Sequence, residues 1–129
     1  MPETHPFNQT VLIVDDEPHI LQALDFLLRQ EGFNVLTAEN GAQALEQVRT
    51  ERPEIVVLDV MMPGTDGYEV ARQIRQEKGL ENVRIVFLTA KGTPADRRQG
   101  YQSGGEYYLL KPFENEDFIQ IIREICTFG

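Results

Sequence analysis

A chain of 129 residues, 41% apolar and 26% charged, has one domain's length and enough apolar mass for one core, which excludes a disordered polymer. Its formal net charge of −9 argues against a direct grip on nucleic acid or an anionic membrane, because phosphate binding needs a basic patch. No run approaches the ~20 apolar residues of a membrane span.

The chain opens on a polar tail, residues 1–9. MPETHPFNQT has no apolar core segment and is neither signal peptide nor anchor. VLIV (11–14) then reads as a strand, and Ile20, Leu24, Leu27 and Leu28 share one helical face that Gly32 closes. NVLTA (34–38) is the second strand; Ala42, Leu45 and Val48 form the next helical stripe. IVVL (55–58) is followed by Val70 and Ile74, and RIVFL (84–88) by the weakest helix, 94–102. That segment has few apolar residues, Pro94 in its first turn and Gly100 near its end, and is expected to be short, poorly anchored and mobile. Arg97-Arg98 within it reads as a solvated face. YYLL (107–110) is the fifth strand, and Phe118, Ile121, Ile122 and Ile125 mark the last helix. Cys126 reads as a buried apolar filler; with no partner thiol, it suits a reducing cytoplasm.

Five strand-length runs alternating with five helical patterns predict an α/β domain over 10–127, with residues 128–129 as a short tail. Continuous apolar runs suit parallel strands covered on both faces. Ligands of such sheets bind beyond the carboxyl ends of the strands.

Those ends carry the chemistry. Asp15, Asp16 and Glu17 follow the first run, Asp59 the third, Thr89, Ala90 and Lys91 the fourth, and Lys111 with Pro112 and Phe113 the fifth. The second ends in Ala38-Glu39-Asn40, ordinary loop chemistry. An Asp pair before Pro18 also reads as a helix N-cap, a Thr after a strand is a common turn residue, and a lone Lys is usually a solvated charge. Asp59 is the sharpest signal. It closes an apolar run without an evident cap to make, and burying an unpaired charge costs several kcal/mol.

Carboxylates converging on one rim repel unless a cation sits among them. An oxygen-only donor set favours Mg²⁺ over softer metals, and no His or Cys lies near the motif, His5 and His19 reading as surface residues. The Thr89 hydroxyl and the Lys111 ammonium are donors of the kind that hold a phosphoryl group. A carboxylate beside Mg²⁺ and facing such donors is a plausible nucleophile toward phosphorus.

Asp15-Asp16, LDVMMPGTDG around Asp59, Thr89-Ala90 and Lys111-Pro112-Phe113 occur in this order over residues 10–126, and the chain resembles the response-regulator receiver domain of two-component signalling. The resemblance implies a three-layer, doubly wound, flavodoxin-like (βα)5 fold with a parallel five-stranded sheet of order 2-1-3-4-5. It implies that Asp59 is the phosphoacceptor and that a sensor histidine kinase or phosphotransfer protein donates the phosphoryl group. Asp16 and Asp59 match direct Mg²⁺ ligands, Asp15 a ligand through water, and Met61 a ligand through its backbone carbonyl. Thr89 and Lys111 match the groups that bind the phosphoryl oxygens, and Tyr108 matches the aromatic switch whose rotamer follows Thr89. The Lys111-Pro112 bond is cis in this family. A phosphorylation switch in the cytoplasm is implied, with an unnamed downstream effector and no turnover of a separate substrate. Pro63-Gly64 and Gly67 read as the turn that brings the chain over the site to the third helix.

Some positions depart from the family pattern. Those that flank the phosphoryl group and tune its lifetime are Met61 and Lys91 here, which predicts a long-lived phosphoform. Tyr107 stands where the winged-helix class has an Asp, and Ile121 where it has an Arg; Arg97 fits. Two lost network charges argue against that class's symmetric dimer and offer Tyr101, Tyr107 and Tyr108 as partner contacts, unless Tyr101 and Tyr107 pack under the fourth helix. A phosphohydrolase would want an acid at position 61, where Met61 stands. A flavodoxin-like cofactor binder would want a phosphate loop after the first strand, where Asp15-Asp16-Glu17 would repel phosphate.

Overall fold

The structure, a computed structural model, describes residues 9–128; residues 1–8 of the predicted tail, His5 among them, and Gly129 lie outside the described residues. The elements in order are β1 (Thr10–Val14), α1 (Pro18–Gln30), β2 (Asn34–Ala38), α2 (Gly41–Glu51), β3 (Ile55–Asp59), β4 (Met61–Met62), β5 (Thr65–Asp66), α3 (Gly67–Gln76), β6 (Arg84–Thr89), α4 (Pro94–Gln102), β7 (Tyr107–Leu110) and α5 (Asn115–Phe128). The last helix thus takes in Phe128, one residue past the predicted boundary.

Five parallel strands form one sheet in the order β2-β1-β3-β6-β7. Setting aside the short β4–β5 hairpin, this is the order 2-1-3-4-5. Strand alternation splits the core in two. Leu12, Val14, Val56, Leu58, Ile85, Phe87 and Tyr108 belong to the side that packs α2 and α3. Val11, Ile13, Ile55, Val57, Val86 and Leu88 belong to the side that packs α1 and α5. The continuous apolar runs are therefore two interleaved faces, each covered by helices.

Several local readings change. The buried stripe of α2 is Gly41, Ala44 and Val48, with Leu45 half-buried and Ala42 exposed. The stripe starts one residue early because Gly41 lies against Thr65 and Val70, a contact that apolar periodicity does not register. Tyr107 does not pack under α4. Period-two alternation in β7 sends it with Leu109 to the α1–α5 side, while Tyr108 and Leu110 face α3 and α4. Arg97 is not merely solvated, since its guanidinium lies 5.3 Å from the centre of the Tyr108 ring. Cys126 is half-buried rather than buried; its thiol donates to Gln9 Oε1 at 3.4 Å, and burial pushes its pKa up.

Helix α4 buries only Gly100. Its start is nevertheless well formed, with Pro94 in the first turn and a reciprocal capping box between Thr93 and Asp96. Among the described residues, no helix is long and apolar enough to cross a membrane.

Candidate functional site

Strand register assembles the site. Val14 pairs with Leu58, so Asp15 and Asp59 leave adjacent strands at the same rung. Asp59 pairs with Leu88 and Thr89 with Leu110, which brings Thr89 and Lys111 to the same rim. The Lys111 N–H donates to the Thr89 carbonyl at 2.8 Å, and the Lys111-Pro112 peptide is cis.

The Asp15 carboxylate is fully buried and does not cap α1. The N-cap is Glu17, which makes no side-chain cap bond; instead the Glu17 N–H donates to Asp15 Oδ1 at 2.9 Å. The other oxygen, Oδ2, accepts from Lys111 Nζ at 2.9 Å. The same ammonium lies 3.4 Å from Asp59 Oδ2. Lys111 thus bridges two carboxylates in the apolar rim of the sheet, where a lone charge would be most costly.

Asp59 is 3% exposed, and its Oδ1 accepts from the Met61 N–H at 3.1 Å. Burial first, and Asp15 second, push its pKa up to about 6, against the lowering pull of Lys111 and of the Met61 N–H. On Lys111, burial works against the charge, yet the Asp15 hydrogen bond and the nearby carboxylates hold its pKa above the ordinary range. Asp59 is therefore a tense carboxylate, charged at neutral pH, with its charge only partly offset.

Asp16 is exposed beside this pair, and ligand oxygens of Asp15, Asp16 and Glu17 lie within 4.8 Å of one another. Three carboxylate oxygens that close suit a hard divalent cation. Asp59 is joined to this group by Lys111, whose ammonium contacts both Asp15 and Asp59.

Thr89 is buried and its Oγ1 accepts from the Lys91 N–H at 3.1 Å. Tyr108 is also buried, and its hydroxyl donates to the Lys91 carbonyl at 2.7 Å. The backbone of one residue, Lys91, therefore links the two predicted switch residues through its N–H and its carbonyl.

Past Asp59, the chain turns through the β4–β5 hairpin, with Gly64 at φ 69° as its left-handed residue. Asp66 then caps α3 by accepting from the Tyr68 N–H. An open groove between the hairpin and α4 is lined by Met61, Pro63, Lys91 and Gln99. Met61 is 57% exposed there. The structure adds to the sequence reading in two places: Gly67, whose Cα lies against the Asp59 backbone, and Tyr68, whose hydroxyl reaches Tyr108. The first was read only as a turn. For the second the sequence holds no signal, because its partner lies 40 residues away.

The family model for the response regulator receiver domain matches residues 11–123. The chain is similar to the DNA-binding response regulator MtrA of Mycolicibacterium smegmatis, 41% identical over 115 residues, covering 89% of this chain and 49% of that protein. It thus spans about half the length of the curated relatives it matches. Among solved structures it resembles a response regulator from Chloroflexus aurantiacus described as putative (TM-score 0.87, 33% identity, 94% of this chain and 99% of that one). It also resembles the receiver domain of the sensor histidine kinase PA1611 from Pseudomonas aeruginosa, solved with a magnesium ion in its active-site cleft (TM-score 0.84, 30% identity, 94% and 99% covered).

Proposed function

The chain belongs to the response-regulator receiver family of two-component signalling, and from that premise we propose that Asp59 is the residue that takes up the phosphoryl group. The observation that carries this reading is the bridging of buried Asp59 and Asp15 by one ammonium, Lys111, at the carboxyl rim of the sheet. Structural packing alone gives no reason to bury two carboxylates around one lysine.

The donor is a phosphorylated histidine of a sensor kinase or phosphotransfer protein. An Asp59 oxygen attacks phosphorus, the P–N bond breaks, and the donor imidazole nitrogen keeps the electron pair. A pKa of about 6 leaves Asp59 ionised at neutral pH and able to attack. Lys111, already 3.4 Å from Asp59, pairs with the phosphoryl oxygens once they arrive. Thr89 supplies a hydroxyl from the adjacent strand end, and Tyr108 follows it through the Lys91 backbone, whose N–H meets Thr89 and whose carbonyl meets Tyr108.

Asp15, Asp16 and Asp59, with the Met61 carbonyl, would hold Mg²⁺, which supplies positive charge against the acidic loop and the phosphoryl oxygens. The oxygens of Asp15 and Asp16, clustered with that of Glu17, suit such an ion, Asp59 adjoins them through Lys111, and the magnesium in the PA1611 receiver supports the assignment.

The protein then acts as a switch whose α4–β7–α5 face is read by an effector, rather than as an enzyme with a separate substrate. DNA binding is named for the relative MtrA; the net charge of −9 favours a receiver that does not itself touch nucleic acid. Cytoplasmic residence, suggested by the single thiol, belongs to the same reading.

Incubation with acetyl phosphate and Mg²⁺ tests the central assignment by intact mass. A gain of one phosphoryl group that needs the metal and is lost in Asp59→Asn is expected. Labelling that survives in Asp59→Asn would sink it.

A further inference from the structure

Beside the switch residues lies a second buried phenol. The Tyr68 and Tyr108 hydroxyl oxygens are 2.8 Å apart. Tyr108 also donates to the Lys91 carbonyl at 2.7 Å, and Tyr68 to the Asp96 carbonyl at 3.1 Å. Two protons therefore face three contacts. With the Tyr108 proton on Lys91, the Tyr68 proton is shared between Tyr108 Oη and the first turn of α4. Burial pushes the pKa of both phenols above the usual range, so both remain donors at physiological pH.

Helix α4 depends on such bonds because it buries only Gly100. Its carboxyl end is fastened to α3 by two arginines. Arg72 donates to Ser103 Oγ at 3.0 Å, and Arg75 donates twice to the Gly104 carbonyl, at 3.0 and 2.6 Å. Its amino end is fastened to α3 by the single Tyr68 hydroxyl. The rigid end and the releasable end are thus distinct.

We propose that Tyr68 is a positioning residue for the switch, its hydroxyl holding Tyr108 in the buried position under the β6–α4 loop while tying that position to the first turn of α4. This rests on Asp59 being the phosphoacceptor. A Thr89 hydroxyl drawn toward a phosphoryl group gives up the Lys91 N–H, and the Tyr108 bond to the Lys91 carbonyl then keeps the loop in place. Holding Tyr108 buried therefore eases the movement of Thr89.

Tyr68→Phe removes the hydroxyl and keeps the ring, which meets Phe87 edge-on at 5.2 Å. In the full chain without a phosphodonor, NMR of ring-labelled tyrosine should show the Tyr108 ring roughly twofold more accessible to a dissolved paramagnetic probe, as one lost hydrogen bond allows. Beryllofluoride with Mg²⁺ should bind the variant about three- to tenfold more weakly, and the substitution should be silent in a Tyr108→Phe background. An unchanged Tyr108 ring, or an equal loss in both backgrounds, overturns the assignment. The ring measurement uses no phosphoryl analogue, so it stands apart from a failure of Asp59 as acceptor, which would show as a native protein that ignores beryllofluoride.

Discussion

Gly67 lies directly against the backbone of Asp59: a Cβ at Gly67 would sit 2.5 Å from the Asp59 carbonyl oxygen and 2.7 Å from Val60 Cα. Neither neighbour is a flexible side-chain tip that could step aside. The first turn of α3 is therefore the floor under the acceptor, reinforced by the Gly67 N–H donating to the Val60 carbonyl. Gly67→Ala is expected to destabilise the fold by about 1–3 kcal/mol, the usual range for overpacking, despite alanine's better helix propensity. Urea unfolding measures the loss. A variant as stable as the native chain and labelled as fast by acetyl phosphate would contradict this role.

The raised pKa of Asp59 makes stability depend on pH in a stated direction. An acid whose folded pKa is about 6, against an ordinary 3.8, binds its proton more tightly when folded. The metal-free protein is thus favoured below pH 3.8 with respect to this group, and loses that advantage as pH rises through about 6. Asp59→Asn removes the titration. It should stabilise the metal-free fold at pH 7.5 by roughly 1–2 kcal/mol, with the gain shrinking toward zero as pH falls to about 4. Thermal unfolding of both proteins from pH 4 to 8 reads the difference. A gain that grows on acidification would reverse the sign and refute it.

The parts of the molecule that were legible in the sequence are those that repeat. VLIV, IVVL and RIVFL carry enough β-branched residues to mark buried strands, and strand ends place Asp15, Asp59, Thr89 and Lys111 on one rim. The dual reading of Asp15-Asp16 as cap or ligand could be resolved only by geometry, where Asp15 turns to Lys111 and Glu17 serves as N-cap. The β4–β5 hairpin escaped because two-residue strands have no period. Ala42 was misplaced because the contact that sets the face of α2 belongs to a glycine. Thr93 and Asp96 did carry a capping signal in the spacing T-P-A-D, legible but weaker than the missing apolar stripe around it. Tyr68 depends wholly on tertiary contact.

Among the described residues, Lys111 is the only cation within ion-pair distance of the buried Asp15 and Asp59. Removing one partner of a buried pair leaves uncompensated charge, at a cost of roughly 3–5 kcal/mol. Lys111→Ala should lose stability on that scale in chelator-treated protein. Mg²⁺ should then restore more stability to the variant than it adds to the native chain, because the ion supplies positive charge where the ammonium is missing. Urea midpoints with and without Mg²⁺ decide the matter. Equal metal effects in both proteins would argue that ion and ammonium act on separate carboxylates.

The lifetime of the phosphoform should depend on the two residues at the mouth of the groove. Hydrolysis needs a water aligned on phosphorus, opposite the Asp59 oxygen. Met61, 57% exposed, offers that water only a thioether, and exposed Lys91 offers donors but no acceptor. Neither side chain can take a proton from the water or orient it as an acceptor would. The Lys91 backbone is held at both its N–H and its carbonyl by Thr89 and Tyr108, so exchanging its side chain leaves those bonds intact. The combined variant Met61→Asn and Lys91→Glu introduces two acceptors. It should speed phosphate loss about tenfold, which one hydrogen bond worth ~1.4 kcal/mol in the transition state supplies. Chasing labelled protein with chelator and timing the loss of its phosphoryl mass gives the rate. An unchanged rate would mean that the groove does not control water, and that some other feature of the Asp59 surroundings sets how long the signal lasts.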